Sequence, residues 1–170
     1  MDEQPSVIES KVVGVLNDLG VPYEIVRIDP QFADTADFCA KYGYAVETCG
    51  NTIVVGSRRG PKQYSACIVK GSDRLDVNKT VKRLMGVSRL SFASAEDTMA
   101  LSGMEIGGVT PFALPPNVPI YADEALMGME YLILGSGSRS SKIKVAPEVL
   151  RHVPNAEIIP GLSLPPRPDG

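Results

Sequence analysis

Apolar residues recur at helical spacing near the start of the chain (Val7, Ile8, Val12, Val15, Leu16, Leu19) and stop at Gly20. Ser6-x-x-Glu9 ahead of them has capping-box spacing, which lets both side chains satisfy amides that the first turn leaves free. The pattern predicts an opening helix. The period then shortens to two from Tyr23 to Ile28, a strand, and a short helix starts at Asp34 or Thr35 and ends near Gly43. The clearest β signal follows. Thr52–Val55 and Tyr64–Val69 flank the turn-rich Gly56-Ser57-Arg58-Arg59-Gly60-Pro61, which reads as an antiparallel hairpin.

After a turn at Gly71-Ser72-Asp73, a basic amphipathic helix is expected from Val77 to Met85, closed by Gly86, and another from Ala95 to Leu101 behind Ser94. Residues 103–119 are rich in Gly and Pro and read as a loop with short strand pieces. Ile120–Ala122, Met129–Leu134 and Lys142–Val145 read as strands, and Pro147 suits the first position of a short helix reaching His152. Neither an internal repeat nor an interdomain linker is evident. The expected fold is α/β (α+β): one domain over residues 1–170, a mixed, largely antiparallel sheet with surrounding helices. Its core is expected at about 6–160, with 161–170 as a flexible tail.

Composition narrows the setting. A chain of 170 residues with 44% hydrophobic and 22% charged residues can bury a substantial core. Its three cysteines, Cys39, Cys49 and Cys67, are odd in number and form no C-x-x-C pair, which argues for a reducing compartment. The acidic start, Met1-Asp2-Glu3, is unlike a secretory signal, and apolar runs such as Tyr131–Leu134 are too short to span a bilayer. A cytoplasmic protein with no membrane partner is expected. The net charge of −3 conceals an asymmetry: residues 50–90 hold nine Lys/Arg against two acids, whereas both flanks are acidic. Such a segment can attract a polyanion locally; equally, its charges can meet the acidic flanks.

Two glycine-rich stretches could carry chemistry. The paired glycines of Gly107-Gly108-Val109-Thr110-Pro111 leave backbone N–H groups unshielded, so a carbonyl or oxyanion can approach closely. Gly135-Ser136-Gly137 could form a small nest with a hydroxyl beside it. Either could also be no more than a tight turn. Neither matches G-x-G-x-x-G or a Walker loop. No His/Cys/Asp cluster has metal-ligand spacing, so neither metal nor cofactor is expected. His152 reads as a residue at a helix C-terminus and Cys49 as a buried thiol.

The stretch Met104-Glu105-Ile106-Gly107-Gly108-Val109-Thr110-Pro111-Phe112-Ala113-Leu114-Pro115-Pro116-Asn117 resembles the signature loop of the YbaK/prolyl-tRNA-synthetase-associated editing domains. Val21-Pro22-Tyr23, Thr35-Ala36, Gly71-Ser72-Asp73-Arg74-Leu75-Asp76-Val77, Gly135-Ser136-Gly137 and Pro147-Glu148-Val149-Leu150 match in order, so the resemblance covers about residues 6–160. It implies a domain that hydrolyses the ester of a mischarged aminoacyl-tRNA in trans. Its partner would be the aminoacyl 3′ end of tRNA, and an aminoacyl-tRNA synthetase is a second expected partner. The resemblance places Gly107, Gly108, Val109, Thr110 and Pro111 in the loop that holds the ester carbonyl. It places Gly135, Ser136 and Gly137 on the opposite wall and Thr35 at the border of the amino-acid pocket.

One position departs from the pattern. Such domains carry a lysine at the start of the first hairpin strand, in a run like Lys-Thr-Leu-Val-Val; here the run is Asn51-Thr52-Ile53-Val54-Val55. An amide supplies a dipole where an ammonium supplies a full charge. A hairpin turning at Arg58–Arg59 would set Asn51 near Ile68 and bring Lys70 onto the face of Asn51 as a substitute; a register shifted by one residue would send it to the other side. The resemblance gives Asn51, Gly107 and Gly108 as catalytic candidates, and the hairpin reading adds Lys70. The competing expectation is a binding module for an aminoacyl-tRNA end or small ligand, catalytically impaired by Asn51.

Overall fold

The structure is a computed structural model that describes residues 6–167. Helix α1 (Val7–Leu19) opens at Ser6, whose hydroxyl accepts from the Glu9 amide, and closes on Gly20 in the left-handed conformation. Strand β1 (Tyr23–Arg27) and helix α2 (Thr35–Tyr42) follow, then the hairpin of β2 (Gly50–Ser57) and β3 (Tyr64–Lys70). A short strand β4 (Arg74–Leu75) precedes one turn of π-helix over Val77–Val81 and α3 (Lys82–Met85). Strand β5 (Leu90–Phe92) and α4 (Ala95–Ser102) lead into the irregular segment that carries the glycine loop. The chain ends with β6 (Ile120–Asp123), β7 (Leu132–Gly135), β8 (Ser141–Val145), β9 (Ala156–Ile159) and β10 (Ser163–Leu164).

A five-stranded sheet in the order β5-β2-β3-β6-β9 packs beside an antiparallel sheet in the order β1-β8-β7, while β4 pairs with β10. The β3–β6 and β6–β9 ladders are parallel and the others antiparallel, so the fold is mixed α/β with a largely antiparallel sheet. The continuous apolar run of β2 and β3 follows from burial of both their faces. Ala66 and Ile68 join Val12 and Leu16 of α1, Leu132 and Leu134 of β7, and Ile143 of β8 in the main core. Val55, Cys67 and Val69 face a second core closed by Val77 and Val81.

Two expectations change. The end of the chain is tied down as far as Leu164: Leu162 is fully buried, and Ser163 and Leu164 pair with Leu75 and Arg74. Residues 168–170 of the expected tail, and residues 1–5, lie outside the described part. The expected strand pieces within 103–119 are absent from that segment, which is loop and turn throughout.

Candidate functional site

A cavity of about 310 Å³ lies between residues of β2 and β7, near the lower end of the range for small-molecule pockets. Strand β2 is paired with β3 from Gly50 to Gly56, but on its other side β5 pairs only from Val55 to Ser57. The edge at Asn51–Val54 therefore faces the cavity. Ile133, Leu134 and Gly135 of β7, Ile106, Gly107 and Val109 of the glycine loop, and Asp34, Thr35 and Phe38 at the start of α2 complete the wall.

Lys142, from β8, enters this cavity. Antiparallel pairing sets it opposite Gly135, and its side chain passes the Phe38 ring, with Nζ 5.7 Å from the ring centroid. Its Nζ donates to the Gly107 carbonyl oxygen at 2.8 Å. Burial pushes its pKa below the ordinary lysine value, and the nearby Arg139 adds to the depression. A largely desolvated cation on the wall of an apolar cavity is suited to meet an anion there, because water screens it little.

The glycine loop is held close by its neighbours. A Cβ at Gly135 would collide with the carbonyl groups of Gly108 and Val109, so only glycine lets β7 pass this near the loop. Gly107 adopts φ +91°, a conformation that favours glycine. Among the described residues the N–H groups of Gly107 and Val109 have no acceptor, which leaves two donors at the wall. Arg139 fixes the loop from outside. Its guanidinium donates to the Ile106 carbonyl at 2.8 Å, to Asp34 Oδ1 at 3.1 Å and to the Pro30 carbonyl at 2.9 and 3.2 Å.

Of the residues expected at the site, Thr35, Asn51, Gly107, Val109 and Gly135 line the cavity. Thr35 Oγ1 donates to Asn51 Oδ1 at 2.7 Å, which leaves the Asn51 amide nitrogen as a donor. Lys70 does not join them. Asn51 pairs with Val69 and Lys70 with Gly50, so the register differs by one residue from the expected one and Lys70 lies on the opposite face of the ladder. Gly108, Thr110 and Pro111 stand behind the loop: Thr110 is fully buried, and a Cβ at Gly108 would meet the Ser138 backbone. Ser136 is also fully buried. Its hydroxyl is bound within its own turn, to the carbonyls of Ser138 and Ser141, and a Cβ at Gly137 would meet Ile8 of α1. The Gly135–Gly137 turn thus contributes Gly135 to the wall and uses the other two residues to seat itself.

Sequence reading missed Lys142, Phe38 and Arg139. The alternation Ile143-Lys144-Val145 does signal that Lys142 and Lys144 share the face away from the main core, but not which of them meets a cavity. The Cys49 thiol is at the wall too, with Sγ 3.5 Å from that of Cys39. Burial, and then the Cys39 hydrogen bond, raise its pKa to about 12, so it remains a neutral thiol. His152 is exposed and does not line the cavity. Among the described residues no three His, Cys, Asp or Glu side chains are placed to share a metal ion, and no helix is long and apolar enough to cross a membrane.

Residues 29–153 match the family description of the aminoacyl-tRNA editing domain. A protein of Enterococcus faecalis named as a candidate Cys-tRNA(Pro)/Cys-tRNA(Cys) deacylase, EbsC, is 26% identical over 105 residues, 62% of each chain. A proline–tRNA ligase of Pelobacter propionicus is 27% identical over 65% of this chain but only 19% of its own length. The chain thus spans about three fifths of the first of these curated relatives and about a fifth of the second. Among solved structures, a candidate trans-editing enzyme for prolyl-tRNA synthetase superposes with a TM-score of 0.78 at 25% identity, covering 92% of this chain and 98% of that one.

Proposed function

The chain belongs to the aminoacyl-tRNA editing domain family, and on that premise we propose that it hydrolyses, in trans, the ester that joins a wrongly attached amino acid to tRNA. The observation that carries this reading is the Lys142 ammonium at the Gly107 carbonyl, inside a cavity bounded by free loop amides. The aminoacyl group lies along β2, with its carbonyl oxygen toward the Gly107 and Val109 amides. Water adds to the carbonyl carbon, and the negative charge that develops on oxygen meets these amides and Lys142. The tetrahedral intermediate then collapses with cleavage of the ester C–O bond, and the ribose oxygen leaves with a proton from the attacking water.

Among the described residues, the titratable ones lining the cavity are Asp34, Cys49 and Lys142. Asp34 is exposed and paired with Arg139, and Cys49 keeps its proton. Neither serves as a general base, so the neighbouring hydroxyl of the terminal ribose relays the proton. Lys142 supplies from β8 the positive charge that Asn51 lacks. Incubation with a panel of mischarged tRNAs tests the reading: shortened ester half-life for at least one aminoacyl group is expected, and unchanged half-lives throughout would overturn it.

Asn51 favours a second reading, a module that binds the aminoacyl end without turning it over. Binding of a non-hydrolysable aminoacyl-adenosine analogue with no hydrolysis, together with gained deacylation in Asn51→Lys, would support that alternative.

A further inference from the structure

The mouth of the cavity carries an exposed aromatic ring, with exposed arginines beyond it. Phe92, at the end of β5, lines the cavity and is 61% exposed; Ile106, from the glycine loop, lines it too and is 40% exposed. Single apolar residues on a surface are ordinary, but these two stand at the entrance to one cavity. Arg89 immediately precedes β5, three residues from Phe92 and about 10 Å away at the rise of a strand. There the Arg58 N–H donates to the Arg89 carbonyl at 3.1 Å, so the two backbones lie side by side, and Arg59 follows in the same turn. Arg58, Arg59 and Arg89 are exposed, and none of them forms an ion pair among the described residues.

We infer that β5 and the β2–β3 turn form a docking track for the single-stranded 3′ end of an RNA. The terminal base stacks on Phe92 beside Ile106, and preceding phosphates meet Arg89, Arg58 and Arg59. The inference rests on the proposed deacylase reading, which puts the terminal ribose and its ester inside the cavity. The base then lies at the entrance, where an aromatic face can accept it whatever its identity. Charge complementarity selects the occupant: the cations are free for a polyanion, and the ring adds what a merely acidic surface could not use.

The chain has no tryptophan, so Phe92→Trp places a single reporter at the mouth. Titration of this full-length variant with the trinucleotide CCA and with deacylated tRNA at low salt should give saturable quenching of the indole. Phe92→Ser should weaken CCA binding about tenfold or more. Replacing Arg58, Arg59 and Arg89 together with Ser should lower the slope of log affinity against log salt by about two. The track is overturned if CCA binds with the indole emission unmoved, if neither RNA binds, or if the triple variant keeps the original slope. Equal binding of poly-glutamate would overturn it as well, by revealing a general anion surface. Hydrolysis of a mischarged tRNA with no response at Phe92→Trp would remove the track and leave the deacylase reading. Quenching without hydrolysis of any ester would do the reverse.

Discussion

Lys142 Nζ lies 2.8 Å from the carbonyl oxygen of Gly107, which joins the buried cation and the glycine loop in one unit. Removing the charge should therefore lower turnover more than it disturbs the fold. Lys142→Met is expected to lose on the order of 10²–10³ in kcat, as for the loss of one oxyanion donor. Its thermal stability should be unchanged or higher, since a buried charge is replaced by an apolar chain of similar volume. Arginine should restore little, because its planar fork does not fit where a single ammonium meets one carbonyl. Parallel measurement of kcat and melting temperature for Lys142→Met and Lys142→Arg checks both points. A full kcat in Lys142→Met would remove this lysine from the chemistry.

The depressed pKa of Lys142 gives a pH signature. Its ammonium deprotonates below the ordinary lysine value of 10.5, so turnover should decline on the alkaline side before a solvated lysine would titrate. The stability effect has the opposite sign. Across the interval between the folded pKa and 10.5 the unfolded chain binds more protons at this site, and this group's contribution to stability rises with pH. In Lys142→Met the alkaline limb of the activity profile should disappear from whatever rate remains. Rate profiles of the two proteins, taken alongside urea midpoints, separate the two effects.

The elements with strong periodicity were legible in the sequence: α1, α2, the β2–β3 hairpin and α4 lie where capping residues and alternation put them. The short strands β4, β5, β9 and β10 were not, because two to four residues carry too little pattern and are held in place by the partner strand. The glycine loop, Thr35, Asn51 and Gly135 were legible through resemblance, and the structure brings them to one cavity. The cation was not. Its expected place depended on hairpin register, and one residue of difference put Lys70 on the other face. Lys142 reaches the loop by pairing of β7 with β8 and packing of that sheet beside β2, relationships no local pattern encodes.

Gly135 should tolerate no side chain. A methyl group there would meet the Gly108 and Val109 carbonyls, and backbone cannot swing aside as a flexible side chain can. Gly135→Ala should destabilise the fold by about 1–3 kcal/mol, the usual range for overpacking. It should also displace the loop amides and cut turnover sharply at temperatures where the variant is still folded. Gly14, where an added Cβ meets nothing within 4 Å, provides the control: Gly14→Ala should keep turnover. Comparing kcat for the two variants well below their melting temperatures is the measurement, and an active Gly135→Ala would contradict the packing described.

The cysteines should differ in reactivity. Burial pushes both Cys49 and Cys67 up to about 12, so at pH 8 both stay almost wholly protonated. Cys39 is partly exposed. Iodoacetamide on the native chain at pH 8 should label Cys39 first, with Cys49 and Cys67 reacting only after denaturation. Peptide mapping by mass spectrometry reads the order, and early labelling of Cys49 would mean a wall more open than the one described.

Glu9 ties α1 to the turn that seats Gly135, and its loss should weaken the fold from outside the cavity. It is 1% exposed; its Oε1 accepts from Arg27 Nη1 at 2.6 Å and from the Ser141 hydroxyl. Ser141 Oγ in turn lies 2.7 Å from Ser136 Oγ. Arg27 is about half exposed, at 47%, so its charge can return to water and the ion pair itself contributes little. The larger cost is on the buried side, where Ser141 would lose a charge-assisted bond. Glu9→Ala should therefore destabilise by about 2 kcal/mol, or a fall of about 4–8 °C in Tm for a domain of this size. Glu9→Gln keeps the acceptor and should recover more than half of that loss. Differential scanning calorimetry of the two variants decides between this account, in which Glu9→Gln is the milder, and a dominant ion pair, in which both fall equally.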